Sequence, residues 1–300
     1  MTVTNVLSRR RFVGCGLAGL ASTALAAPLF AVIDGLQVGL QTYSLRGIRY
    51  PALVSAVQQT GIGECELFSP QVEPTPAEVP NIMKWRETVS PDYFRAIRTK
   101  FNQAGVVIVT YDPRMGAGGR GRGGRGAIPD RRPGAMAPAA AITDAQIDRT
   151  YACAQALGAK TINAQMPLET ARRVASFAHK YQMITAVESV DPGLLTQVVA
   201  LSPWMRMSVD IGDFTRVGLN ARQFVEANYE HLFEVHLKDC KFRGTSVPFG
   251  EGDAHMKEII RFLASKHGPV RATIDCDYPG TGTSVAEVRK CYAYVQSCLA

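Results

Sequence analysis

Two signatures are missing from this sequence, and histidine is scarce. No two of the seven cysteines form CxxC or any other metal-type spacing, so nothing points to a cysteine-held metal. No Gly-x-Gly-x-x-Gly follows the first strand-like run, and Gly61-Ile62-Gly63 reads only as a helix-to-strand turn, which argues against an open dinucleotide-binding sheet. Histidine is limited to His179, His231, His236, His255 and His267. With 46% hydrophobic and 20% charged residues, the composition excludes wholesale disorder, collagen and a multispan membrane protein. At 300 residues the core can be sizeable, so neither disulfides nor a metal are needed simply to fold.

The net charge of +7 is unevenly spread. Arg9, Arg10 and Arg11 open the chain, and Arg114, Arg120, Arg122, Arg125, Arg131 and Arg132 face only Asp130 in one short stretch. Without these two segments the body is close to neutral, which gives no basis for a nucleic-acid surface. The first segment has the form of an export signal. Ser8-Arg9-Arg10-Arg11-Phe12 precedes an uncharged stretch from Gly14 to Ala27, and Ala24-Leu25-Ala26 puts small residues where a peptidase would cut. It resembles a twin-arginine signal, which predicts residues 1–26 as a leader, a periplasmic or extracellular destination, and no stable membrane insertion after cleavage. The competing reading is a retained anchor, since the uncharged run from Phe12 to Ile33 reaches about the 20 residues of a span. Removing Cys15 leaves an even cysteine count, but export in the folded state favours reduced, buried thiols.

Beyond the leader, short β-rich runs alternate with helical periodicity. The expected strands are Gln37–Thr42, Glu64–Phe68, Val106–Tyr111, Thr161–Ala164, Ile184–Glu188, Met207–Asp210, Phe233–Leu237 and Ala272–Asp275. Between and after them lie Pro51–Thr60, Pro91–Ala104, Asp144–Leu157, Leu168–Tyr181, Ala221–His231, Met256–His267 and Ser284–Leu299. Eight strand–helix units imply parallel pairing and a closed (β/α)8 TIM barrel over residues 34–300. Residues 113–142 break the rhythm with eight glycines between Gly116 and Gly134, and read as a mobile basic insertion. An Arg-Gly repeat can bind single-stranded nucleic acid, but no aromatic inside it offers a stacking face. No nucleic-acid partner is expected.

Reacting groups of such barrels sit at the C-terminal ends of the strands. Those positions hold Glu66, Asp112, Glu188, Asp210, His236 and Asp275. The last four close four successive strands, at spacings of 22, 26 and 39 residues. A carboxylate at a strand end is often a helix cap, and a lone His236 would read as a satisfied core histidine. Three carboxylates and an imidazole at one level instead suggest a divalent ion among manganese, magnesium, cobalt and zinc, because without a cation the like charges repel.

These residues carry a resemblance. Gly39-Leu40-Gln41-Thr42-Tyr43-Ser44-Leu45-Arg46, Glu64-Cys65-Glu66-Leu67-Phe68 and Val209-Asp210-Ile211-Gly212-Asp213 are similar to strands of the sugar phosphate isomerase/epimerase family, the xylose isomerase-like TIM barrels. So are Val235-His236-Leu237-Lys238-Asp239, followed by Val247-Pro248-Phe249-Gly250-Glu251-Gly252, and Ile274-Asp275-Cys276-Asp277. The resemblance spans roughly residues 36 to 298. It implies a single divalent ion held by Glu188, Asp210, His236 and Asp275, and a small sugar or sugar derivative as substrate. The implied reaction moves a proton beside a carbonyl, with Glu188 or Asp275 as base and Lys238 hydrogen-bonding a substrate oxygen. Gln41, Tyr43 and Glu66 would face the sugar from the opposite wall, and Trp85 would offer an apolar face.

Three departures qualify the match. Asp213 stands where relatives often carry His, Asp275 where Glu is common, and Glu188-Ser189-Val190 lacks a His-Asn-His. An Asp reaches roughly 1.5 Å less deeply than a Glu, which weighs against epimerisation with a base on each face. The expectation is an exported sugar isomerase or epimerase. A metal-dependent lyase or hydratase on a keto-sugar and a non-catalytic sugar-binding barrel are the alternatives. Relatives that cut DNA at abasic sites use a richer histidine set than this chain has. A homo-oligomer is compatible with the sequence but not fixed by it.

Overall fold

A computed structural model describes residues 32–115 and 142–300. The expected leader and most of the Gly/Arg-rich insertion lie outside the described residues. The strands are β1 (Val32–Ile33), β2 (Leu36–Gln41), β3 (Glu64–Phe68), β4 (Val107–Asp112), β5 (Thr161–Ala164), β6 (Ile184–Glu188), β7 (Met205–Asp210), β8 (Leu232–Leu237) and β9 (Arg271–Ile274). They pair in chain order, and β2 also pairs with β9, from Gln37 opposite Arg271 to Leu40 opposite Ile274. The eight strands β2 to β9 therefore close into a parallel barrel. The helices are α1 (Ala52–Thr60), α2 (Ile82–Thr88), α3 (Pro91–Gln103), α4 (Asp144–Leu157), α5 (Leu168–Tyr181), α6 (Pro192–Val199), α7 (Ile211–Arg216), α8 (Ala221–Ala227), α9 (Met256–Ser265) and α10 (Ser284–Leu299). Among the described residues no helix is long and apolar enough to cross a membrane.

Local chemistry sets the element ends. Thr143 and Gln146 form a capping box at the start of α4, and Gly158 ends that helix in the left-handed region at φ 77. Asp191 accepts from the backbone N–H groups of Gly193 and Leu194 while Pro192 opens α6, a start signal that the periodicity reading passed over. β1, also unanticipated, turns back antiparallel onto β2 through Asp34 and Gly35 at φ 47 and 83, an Asp-Gly hairpin.

Two hydrophobic regions result. The larger lies between barrel and helices, with Val38, Leu67, Ile162, Val187, Val209 and Val235 buried against helical residues such as Phe94, Val174 and Ile259. The smaller is only Val109, Ala186 and Phe233, with Ile184 beside them. Much of the barrel interior is polar instead. Asn163 on β5 reaches Glu66 on β3 and His236 on β8, strands that do not neighbour one another, so these side chains meet across the inside. Below them Arg271 pairs with Glu64 at 3.0 Å.

A second buried ion pair fixes the exit of β4. Arg86 of α2, 1% exposed, donates to both oxygens of Glu73 at 2.8 and 2.7 Å and to the carbonyl of Pro113. Tyr111 donates its hydroxyl to the same carboxylate. The insertion thus departs from an anchored point. Removing one partner of such a pair strands a buried charge, so Arg86→Leu is expected to lower unfolding stability by about 3–5 kcal/mol, as measured by urea denaturation. A loss under about 1 kcal/mol would place this pair with surface ion pairs.

Candidate active site and metal centre

Backbone geometry brings the strand-end residues together. Asp210 opposes His236 in the β7–β8 register, and Asp275 follows β9 directly, its N–H donating to the carbonyl of Leu237. Asp210 also caps α7, accepting from the N–H of Asp213 at 2.9 Å. Only a glycine fits after that turn. A Cβ on Gly212 would lie 2.7 Å from Lys238 Cγ and 2.8 Å from the Lys238 carbonyl oxygen. Asp239 organises the following loop, accepting from Gly250 at 2.8 Å and Gly252 at 3.0 Å, and a Cβ on Gly252 would collide with its carboxylate. The His-Leu-Lys-Asp block and the glycine turn after it are one folding unit.

Ligand atoms of Asp210, His236 and Asp275 lie within 4.8 Å of one another, as do those of Glu188, Asp210 and Asp213. The first three are 2%, 0% and 0% exposed, and Glu188 is 7% exposed. His236 Nδ1 faces Glu188 Oε2 at 3.6 Å. The ammonium of Lys238 sits among three aspartates, 2.5 Å from Asp210, 3.2 Å from Asp275 and 3.4 Å from Asp213. Gln165 donates to Glu188 Oε1 at 2.6 Å. Counting Glu188, Asp210 and Asp275 against Lys238 leaves two negative charges around an oxygen-rich, one-nitrogen donor set. That set fits a divalent cation.

The other ring nitrogen faces a second carboxylate layer. His236 Nε2 is 2.9 Å from Glu66 Oε2 and 3.7 Å from Glu234 Oε1. Gln41 and Asn163 donate to Glu66 Oε1, and Thr273 donates to Glu234 at 3.1 Å. Burial raises the Glu66 carboxyl well above its usual range, and the charge of Glu234 adds to this against the pull of His236. Burial works against charge on the imidazole, yet the charge of Glu66 and the hydrogen bonds to Glu234 and Glu66 outweigh it and hold His236 well above its usual value. Burial would raise Glu234 too, but hydrogen bonding and charge from His236 bring it below the usual range.

Glu66 and Gln41, expected to face a sugar, are 2% and 0% exposed and lie beneath His236. Trp85 packs edge-on against Tyr93 and Phe94 in the helical layer, at centroid distances of 5.4 and 6.0 Å, away from the strand-end cluster. Its apolar bulk stabilises the contact between α2 and α3. Tyr43 meets Phe68 edge-on at 5.1 Å and carries Arg46 over its ring. Asp112 accepts from the N–H of Arg114. Lys238 is 2% exposed and engaged with the aspartates. The six described cysteines are free and buried, as expected for reduced thiols. Glu234, Asn163 and Gln165 were not foreseen. The signal for Glu234 was present, because Glu234, His236 and Lys238 alternate along one strand face.

No family model matches the chain, and no curated protein does. Solved structures do. A sugar phosphate isomerase/epimerase from Parabacteroides distasonis superposes with a TM-score of 0.59 at 12% identity, over 92% of this chain and 98% of that one. The fold is that of the xylose isomerase-like barrels. A probable 3-DHS dehydratase, AsbF from Bacillus anthracis, gives 0.60 at 12% identity over 87% and 99%. An IolI protein with a bound zinc atom gives 0.58 at 12% over 87% and 98%.

His236 and Glu66, both raised, give metal-free protein a pH dependence. His236 contributes stability that is fully present below its unfolded value of about 6.5 and is lost as pH rises through the higher folded value. Glu66, raised as well, acts in the same direction. Glu234, lowered, adds stability that disappears only in acid. Metal-stripped protein is therefore expected to lose Tm as pH moves from about 6.5 to 9. Calorimetry in chelator that finds Tm rising over that interval contradicts the assignment.

Proposed function

We propose that this chain is an exported sugar isomerase or epimerase that works with one divalent ion at Glu188, Asp210, His236 Nδ1 and Asp275. The observation that carries the reading is the convergence of these four groups at the ends of β6 to β9, with a net charge deficit that suits such an ion. Bound there, the ion would supply Lewis-acid polarisation of a substrate oxygen.

The protein's own groups do the rest. Glu188 is the base, removing a proton from the carbon beside a carbonyl and returning it to the carbonyl carbon, while the hydroxyl proton of the first carbon passes to the former carbonyl oxygen. Gln165 holds one of its oxygens at 2.6 Å, and at 7% exposure it is the more accessible of the two candidate bases. Asp275, at 0% exposure, is short and held against Lys238 at 3.2 Å, so its carboxylate is the less available of the two to reach a substrate carbon. Lys238 is thus assigned to charge balance, in place of the substrate contact expected from its position. Tyr43, with Phe68 and Arg46 around it, supplies a wall for the sugar.

Proton exchange in D2O tests the reading on a panel of aldo- and keto-sugars. Glu188→Gln is expected to slow deuterium incorporation by about 100-fold or more, with ion content assayed in parallel because Gln is also a poorer ligand. Symmetric epimerisation by the unmodified protein would overturn the single-base assignment. A lyase or dehydratase acting on a keto-sugar is the second reading, favoured by the shared fold of the probable dehydratase. It begins with the same proton removal, and loss of water from the substrate without its isomerisation would select it. A stoichiometric ion separates both from a sugar-binding barrel without activity.

Export rests on the paired arginines. Changing Arg9 and Arg10 together to Lys is expected to leave the protein in the cytoplasm, as read by fractionation. Unchanged periplasmic accumulation contradicts the twin-arginine route, and terminal sequencing near Ala27 checks the cleavage site.

A further inference from the structure

We infer that Ser44 is the positioning residue for Asp275, fixing the end of β9 so that this short carboxylate meets the ion. The inference rests on the proposed function, in which Asp275 is a ligand.

The barrel closes between β2 and β9, and their pairing ends with Leu40 opposite Ile274. β2 then leaves the sheet, because Thr42–Leu45 winds into a 3-10 turn capped by Gln41. Past Ile274 the β2 side offers no further ladder bond, yet Ile274, Asp275 and Cys276 are all buried. Buried peptide groups must find partners elsewhere. Ser44, itself buried, supplies them from the turn. Its hydroxyl accepts from the N–H of Cys276 at 2.8 Å and donates to the carbonyl of Ile274 at 3.4 Å. Those two groups belong to the peptide units on either side of the Asp275 Cα. From the other side, the N–H of Asp275 donates to the Leu237 carbonyl of β8 at 3.0 Å. Arg46 adds an outer contact, reaching the Cys276 carbonyl at 3.4 Å. The backbone of residue 275 is thus gripped from both neighbouring strands, and on the β2 side the grip is a side chain.

The length of the Asp side chain makes that grip matter. A Glu has one more side-chain torsion and can follow a backbone shift by turning it, whereas an Asp carboxylate goes where the backbone puts it. Here it has little latitude. Its oxygen lies within 4.8 Å of the ligand atoms of Asp210 and His236, and Lys238 stands 3.2 Å away. Hydrogen bonds behind a metal ligand commonly set its aim, and at Asp275 they act on the ligand's own peptide units. Thr42 gives a comparison within the same turn. It is equally buried, but its hydroxyl accepts from the N–H of Phe68 at 2.8 Å, which ties the turn to the end of β3 instead.

Co2+ is the probe, titrated into metal-stripped protein by calorimetry and followed by its visible absorption. Ser44→Ala is expected to raise the Kd for Co2+ about 10-fold and to alter the absorption of the bound ion. Thr42→Val, which also removes one buried bond of the turn, is expected to leave both unchanged. A double-mutant cycle separates positioning from general loosening. In Asp275→Asn protein the further change Ser44→Ala is expected to move the Kd by less than about 2-fold, because the carboxylate it acts through is gone. An unchanged Kd in Ser44→Ala overturns the assignment and leaves the proposed function standing. An equal loss in Thr42→Val, or a loss that persists in full beside Asp275→Asn, does the same. Absence of Co2+ binding by the unmodified protein removes both readings. Should Ser44→Ala fail to fold, a crystal structure of the unmodified protein with Co2+ decides. Asp275 on the ion with the Ser44 hydroxyl between Ile274 and Cys276 bears the assignment out, and a hydroxyl turned away overturns it.

Discussion

The two faces of the His236 ring hold this site together. One nitrogen looks up to the strand-end carboxylates and the other looks down to Glu66, and the ring is fully buried between them. An isolated imidazole in that position would be a liability, because burial resists its charge and leaves two polar atoms to satisfy. Surrounded by carboxylates it touches both layers. Its protonation state is therefore not a local matter. Burial resists its charge, and the carboxylates of Glu66 and Glu234 outweigh that resistance.

The rest of the architecture follows from keeping that polar column inside a barrel. Branched apolar residues commonly fill such interiors, and here, among the described residues, the smaller apolar cluster is limited to Val109, Ala186 and Phe233 with Ile184 beside them. The compensation lies outside the strands, where the larger apolar cluster packs the barrel against its helices. Removing carboxylates from water is unfavourable unless each is hydrogen-bonded and paired. Gln41, Asn163, Thr273, Arg271 and Lys238 do this from five different positions in the sheet and its loops. Apart from Arg271 and Thr273, which share β9, no two of them lie close together in the chain, so the closed barrel brings them to one axis.

Much of this was legible in the sequence. Strand-end residues are visible one strand at a time, since a carboxylate or histidine after an apolar run is a local pattern, and Glu188, Asp210, His236 and Asp275 were found that way. Residues deeper in the barrel were harder. Glu234 sits mid-strand, where a charged residue looks like a solvent-facing position until closure makes that face the inside. Glu66 is a strand-end residue in the sequence, but chain position gives the end and not the depth, and its carboxylate lies against His236. Trp85 poses a related difficulty. An aromatic in an unassigned segment fits a barrel mouth as well as a helical layer, and only the packing of α2 on α3 separates them.

The two departures near the cluster make sense together. Where the family that the sequence resembles often carries His, Asp213 gives the neighbourhood of Asp210 a further carboxylate. The structure answers with cations on either side. Arg216 lies 3.5 Å from Asp213 and Lys238 lies 3.4 Å from it. The same lysine reaches Asp275 at 3.2 Å. A longer Glu at 275 would carry its carboxylate roughly 1.5 Å further along its side chain, away from the position that meets the ammonium now. The shorter side chain keeps the charge where Lys238 can share it with Asp210 and Asp213. What looks like loss of reach at 275 is, in this arrangement, the partner of the extra charge at 213, since one ammonium serves both aspartates.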